Sequence, residues 1–312
     1  MQTRSPGDNS VLLINKKDVT IRAKNPGKAI LDGDGTGVST GSTGTCNVVH
    51  ITGGRITLDG LVIRNGLAGR SASQTGGDTY YPAPSGGGIS VGAYQGAVEA
   101  ASPTALTLQS CTITANTAVH YGGGIYFETA LDGQSISYNE LVVKDTIISG
   151  NAASGGTSDG NGGWLPDQSY DGIGGGVYLA GKPCPVSFER VTFSGNSAAR
   201  DPGNGRYQNN APTDGIGGGA FVTGHGSVNT VRNDGHMVTF TDTVFDGNTL
   251  TGSANKGSAI YTGGGALSFS NVNFTNHATA NSILDSAATM DFTCPLGKWS
   301  STSGAITLHI FR

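Results

Sequence analysis

Two short segments of this chain close alike, Tyr170-Asp171-Gly172-Ile173 and Thr213-Asp214-Gly215-Ile216. If they occupy neighbouring positions in a fold, Asp171 and Asp214 bring two carboxylates together. Like charges that close force one group to hold a proton or both to share a cation. With Asp167 and backbone carbonyls, the pair would offer the oxygen-rich shell that calcium takes. Arg200 or Arg206 would neutralise the pair instead. No other cofactor is expected. The same stretches, about 67–85, 152–173 and 197–216, hold Tyr80, Tyr81, Trp164, Tyr170, Arg206 and Tyr207. Aromatic faces pack against the C–H surface of sugars, while tyrosine hydroxyls and guanidinium groups supply hydrogen bonds. A plainer reading stands beside this one: Asp in glycine-rich turns bonds its own backbone.

A second set of rings recurs at fixed positions. Ser90, Tyr126, Tyr178, Phe221 and Tyr261 each lie between apolar residues in short runs led by glycine. Alternation points their neighbours inward and these side chains outward. A ligand-binding aromatic stripe of Tyr126, Tyr178, Phe221 and Tyr261 on an exposed face is one expectation. The alternative is that the rings stack on one another across strands, or lie under loops.

The elements that must position these groups are repeats. Ile56/Leu58/Leu61/Ile63 aligns with Leu106/Leu108/Cys111/Ile113 and with Leu141/Val143/Thr146/Ile148. Val186/Phe188/Val191/Phe193, Val238/Phe240/Thr243/Phe245 and Leu267/Phe269/Val272/Phe274 complete the set. Period-two alternation gives strands with one buried face. One extra residue (Gly60, Ser110, Asp145, Arg190, Asp242 or Asn271) breaks the phase in every copy. The chain must bend there for both halves to face one interior. Three residues after the last apolar position stand Asn116, Asn151, Asn196 and Asn248, with Gly66 and His277 in the outer copies. Stacked about 4.8 Å apart, the asparagines would form a structural ladder.

Each copy is followed by a glycine-led strand. Gly86-Gly87-Gly88-Ile89, Gly122-Gly123-Gly124-Ile125, Gly174-Gly175-Gly176-Val177 and Gly217-Gly218-Gly219-Ala220 recur, with Gly257-Ser258-Ala259-Ile260 as a weaker version. Three short strands per coil around one core predict an all-β, right-handed parallel β-helix, a solenoid with inserted loops on one flank.

These motifs resemble the repeats of the polymorphic outer membrane protein family of autotransporter adhesins, which pair GGA[ILV] with FxxN. The matching residues are Gly218-Gly219-Ala220, Phe193-Ser194-Gly195-Asn196 and Phe245-Asp246-Gly247-Asn248, with variants at Ile113–Asn116 and Ile148–Asn151. The resemblance covers about residues 55–277. It implies a β-helix and an adhesin-like, non-catalytic function, binding a glycan or surface protein from an extracellular or cell-surface position. Members of that family also carry a signal peptide and a membrane barrel, which no segment of this sequence matches.

Parallel β-helices of the pectin-lyase type also include polysaccharide lyases and glycosidases, so a carbohydrate-active enzyme is the alternative function. Of the patterns that mark polygalacturonases, only Gly224-His225-Gly226 is present. No carboxylate pair can be assigned across one scissile bond. A threonine array for ice binding is suggested only by Thr239, Thr241 and Thr243.

Composition sets the outer bounds. The chain has 52 glycines in 312 residues without a triplet period, so collagen is excluded. A net charge of -4 without a basic stripe gives no footprint for nucleic acid. No apolar run has membrane-spanning length. The four cysteines, Cys46, Cys111, Cys184 and Cys294, form no disulfide or zinc pattern. Cys111 falls in an inward column, and the others fall in turns or loops. One β-helix domain is expected over 1–290, with regular coils at about 55–277 and a first coil made by Val11–Ile14, Val19–Ile21 and Ala29–Gly33. No cap is visible over that first coil, as expected for a fragment or processed product. The tail at 291–312 opens with Cys294-Pro295-Leu296-Gly297-Lys298-Trp299, which looks like the start of a truncated cysteine-rich module.

Overall fold

The computed structural model describes residues 10–34, 47–68, 85–92, 104–128, 139–154, 172–181, 184–199, 215–222, 237–251, 257–262 and 266–277, and the backbone of 283–285 and 289–293. The chain is a right-handed parallel β-helix. Every named strand pair is parallel, and each strand pairs with its equivalents one coil up and one coil down.

The coil containing Asn151 shows the plan. Ile125–Glu128 belongs to the first sheet, Glu140–Lys144 to the second and Ile147–Ser149 to the third. A two-residue strand, Ala152–Ala153, follows the asparagine and belongs to a fourth sheet. Val177–Ala180 then returns to the first sheet. Eight strands make the first sheet, eight the second, seven the third and five the fourth. The three strands per coil form as expected, and a short fourth strand joins them where it pairs with the neighbouring coil. The residues concerned, Leu67–Ala68, Thr117–Ala118, Ala152–Ala153, Ser197–Ala199 and Thr249–Thr251, lack a long alternating pattern. Their pairing comes from the neighbouring coil instead.

The corners explain the phase breaks. Gly60, Ser110, Asp145, Arg190, Asp242 and Asn271 all have positive φ, between 49° and 72°. That one extra residue, in the left-handed conformation, turns the chain between the second and third sheets. A second set, Asn65, Ala115, Gly150, Gly195, Gly247 and Asn276, has φ of 54° to 60° and precedes the ladder position. Glycine and asparagine suit this region best. Arg190 and Ala115 adopt it because the coils on either side dictate it.

The interior is filled by the aligned apolar columns. Phe127, Phe188, Phe193, Phe240 and Phe245 are fully buried. Phe188, Phe240 and Phe269 stack along the second sheet at 5.1 and 5.4 Å. Phe193, Phe245 and Phe274 stack along the third at 4.6 and 5.2 Å. The first coil forms as expected, from Leu12–Ile14, Val19–Arg22 and Ala29–Asp32. The first sheet also takes Val49–Ile51, a strand with no glycine triplet. At the other end, Thr289–Thr293 pairs with Ala266–Ser270 and extends the second sheet.

Cys111 is buried in its column, as expected, and burial pushes its thiol up. Cys184 was expected in a loop. It does lie outside any strand, immediately before Pro185–Glu189, and it is buried against the core there, which pushes its thiol up to about 12.

Candidate functional site

The two paired motifs, asparagine and glycine, are halves of one lock. Asn151 Nδ2 donates to Asn196 Oδ1 at 3.0 Å and to the Ile113 carbonyl at 2.9 Å, and the Asn151 backbone N–H donates to the same Oδ1. Asn116 and Asn196 repeat this toward Asn151 and Asn248. Gly66, at the first position, donates its N–H to Asn116 Oδ1. All four asparagines are fully buried. Their amides are satisfied, which is what makes such burial tolerable. The glycines are required by what lies against them. A Cβ at Gly123 would sit 2.3 Å from the Ala152 carbonyl oxygen of the fourth sheet. At Gly124 it would sit 3.1 Å from the Asn151 amide. The triplet therefore lets the first sheet close on the ladder.

On the outer side of the first sheet runs a column of rings. Tyr126 and Tyr178 are paired in register, as are Tyr178 with Phe221 and Phe221 with Tyr261. Their centroids are 5.4, 5.1 and 5.4 Å apart and nearly parallel. The expectation of an exposed stripe is corrected. Tyr178 is 5% exposed and Phe221 is fully buried, while Tyr126 and Tyr261 are half-buried. The stacked alternative is the one observed. Ile173, Ile216 and Tyr121 pack against the same column and shield it. Burial holds the phenols of Tyr126 and Tyr178 well above their usual range. The Tyr126 hydroxyl donates to the Glu128 carboxylate, whose charge adds to that shift.

Tyr121 was missed by the sequence reading, and it is the ring nearest Tyr178, at 4.4 Å. A signal for it exists. Ser85, Tyr121, Ile173 and Ile216 each immediately precede a glycine triplet, and they bridge one another coil to coil. His120 stacks on Tyr121 at 3.5 Å.

Tyr80, Tyr81, Trp164, Tyr170, Arg206, Tyr207, Asp167, Asp171 and Asp214 lie outside the described residues, as does His225. Their anchor points do not. Ala152–Ala153 pairs with Ser197–Ala199, and Ile173 bridges Ile216. The connections carrying Asp171 and Asp214 thus leave and rejoin the scaffold in register, one coil apart. Leu67–Ala68 and Ser85 anchor the first connection at the same corner. Calcium at Asp167, Asp171 and Asp214 stays an expectation on residues outside this description.

The described carboxylates at the corner between the second and third sheets serve as ion pairs. Arg190 grips Asp145 through Nε and Nη2 at 2.5 and 3.0 Å and also bonds Glu189. Lys144 Nζ lies 3.1 Å from Glu189. The Arg190 guanidinium holds the carboxyls of Asp145 and Glu189 below the usual carboxylate range. These groups are solvent-facing, so screening leaves the pairs modest. Among the described residues, no three His, Cys, Asp or Glu side chains come together as a metal-holding group. No described helix is long and apolar enough to cross a membrane.

Comparison with family models, curated proteins and solved structures finds no match to this chain.

Proposed function

We propose that this chain is an extracellular or cell-surface β-helix module that binds a glycan or a protein partner without catalysis. The observation that carries this reading is the stacking, on one corner, of the anchor points of three long connections. Connections held in register by a rigid sheet are the usual seat of recognition. Their sequences supply the aromatic and guanidinium side chains that recognise sugars, namely Tyr80, Tyr81, Trp164, Tyr170, Tyr207 and Arg206. The half-buried Tyr126 and Tyr261 border the same flank on the first sheet. The repeat motifs, which resemble those of the polymorphic outer membrane protein adhesins, support an adhesin-like placement.

The test is to incubate the protein with a panel of polysaccharides and to measure retention and the release of new chain ends together. Retention without release, weakened by Trp164→Ala, supports the reading. Release of chain ends that disappears in Asp171→Asn replaces it with a carbohydrate-active enzyme. A chelator that abolishes retention would place calcium at Asp167, Asp171 and Asp214. No retention of any polysaccharide, together with no binding to surface proteins, would overturn it.

A further inference from the structure

The third sheet has an outer face that no long connection borders. From Leu61–Arg64 onward, one or two residues join each of its strands to the second sheet, and two lead on to the fourth wherever that sheet forms. Its outward side chains fall into two columns. One runs Val62, Thr112, Ile147, Thr192 and Val244 in paired register. The other runs beside it as Arg64, Thr114, Ser149, Ser194 and Asp246. Aliphatic surface is open here, with Ile147 46% exposed.

The order of the first column reads the same in both directions, Val-Thr-Ile-Thr-Val. Its centre, Ile147, is on the middle strand of the seven. In the second column the charges are placed oppositely about that centre, Arg64 two strands to one side and Asp246 two strands to the other. Such a face, turned end for end, is complementary to itself. That is the condition for a two-fold interface, in which one patch serves both subunits.

We infer that this face joins two copies of the chain in a reversible antiparallel dimer, with the two-fold axis along Ile147–Ser149. Val62 then lies over Val244 of the second copy, Thr112 over Thr192, and Ile147 over its own counterpart. Arg64 lies over Asp246 at two equivalent places. Arg64 donates Nε to Asp32 at 2.7 Å, which leaves its terminal nitrogens for a second carboxylate. Hydrogen bonds from Thr275 and Asn276 hold the Asp246 carboxyl below its usual range, so it is charged at neutral pH.

The parallel arrangement, with the axis along the solenoid, sets Val62 over Arg64 and Val244 over Asp246. It strips water from both charges and pairs neither. In the antiparallel one the coil rise is common to both copies, so the columns stay in step along their length. At the ends Ile30 meets Asn273, so the match belongs to the five central strands. Seven strands span roughly 30 Å, at the small end for a specific interface, and the dimer is therefore a reversible one. The corner between the fourth and first sheets is not part of this face and stays open in both copies.

The experiment is sedimentation equilibrium of the full chain from micromolar to submillimolar concentration. The mass should rise with concentration toward that of two chains. Ile147→Lys sets two ammonium groups against each other on the axis and should weaken the dimer roughly tenfold or more, with thermal unfolding unchanged. Arg64→Asp and Asp246→Arg should each weaken it. Mixing those two variants should restore it, because the mixed dimer opposes a carboxylate to a guanidinium at both places. A chain that stays monomeric throughout, or a dimer indifferent to Ile147→Lys, overturns the inference. A mixture that does not recover overturns the antiparallel arrangement. Should either charge variant not fold, Ile147→Lys still decides, since that side chain lies outside the core. The readout is mass rather than ligand retention, so the result is independent of the proposed function.

Discussion

Two columns of stacked rings run along this solenoid, one inside it and one outside. Inside, Phe193, Phe245 and Phe274 repeat at 4.6 and 5.2 Å. Outside, Tyr178, Phe221 and Tyr261 repeat at 5.1 and 5.4 Å. The spacing is nearly the same because the rise between hydrogen-bonded coils sets it. The difference lies in what meets the rings from the side. The inner column is wedged against a second one, with Phe193 edge-on to Phe188 at 5.3 Å. The outer column has Tyr121, Ile173 and Ile216 on one flank, and its end members stay half-buried. Register fixes how rings stack. It does not fix how much water they lose.

The largest test of that contrast is Phe193→Ala. Phe193 is fully buried and touches rings of two columns. Truncation leaves a cavity that the stacked backbone cannot collapse, so chemical unfolding should register a loss of roughly 3–5 kcal/mol. Tyr178→Ala should cost less, about 2–3 kcal/mol, since its column is closed by fewer neighbours. Equal losses at the two sites would erase the distinction between inner and outer columns. A loss near zero at Tyr178 would return that column to the exposed stripe first expected.

Asn196→Ala sharpens the comparison from the polar side. The asparagine column is as buried as the phenylalanines, yet each amide is paired along the stack. Removing one leaves the Asn151 amide and the Ile148 carbonyl without their partner, a cost of about 1–3 kcal/mol in the same unfolding measurement.

Much of this was legible from residue spacing. The apolar columns, the phase-breaking residues and the ladder are local patterns that repeat, and each repeat constrains the next. Ser110, Asp145 and Arg190 were placed at a bend by counting alone, and all three have positive φ. Three things escaped. Ala152–Ala153 is a strand only because Thr117–Ala118 and Ser197–Ala199 lie beside it. Cys184 lies in the connection before Pro185–Glu189, where its spacing puts it, but its burial against the core does not follow from that placement. The aromatic column was given its direction correctly but not its cover. Its cover comes from Tyr121, Ile173 and Ile216, which share the position before a glycine triplet but stand outside the alternating strand pattern. Of the expected site, only Tyr126, Tyr178, Phe221, Tyr261 and the asparagines lie among the described residues.

The smallest expected effect near neutral pH separates the two columns by chemistry rather than by area. Phenylalanine has nothing to ionise, whereas Tyr126 and Tyr178 do. Burial raises both phenols well above their ordinary value, and the Glu128 carboxylate adds to the shift at Tyr126. A group whose folded value is raised contributes its stability below the unfolded value, near pH 10, and that stability is lost as pH rises toward the folded value. The outer column should therefore weaken in alkali while the inner one does not. Tyr178→Phe keeps the stacking and removes the ionisable group, so at neutral pH it should change stability little. Above about pH 10 the variant should lose less stability than the unaltered chain in thermal unfolding. Identical alkaline profiles would mean that the Tyr178 hydroxyl reaches water, and the burial that distinguishes this column from an open stripe would have to be withdrawn.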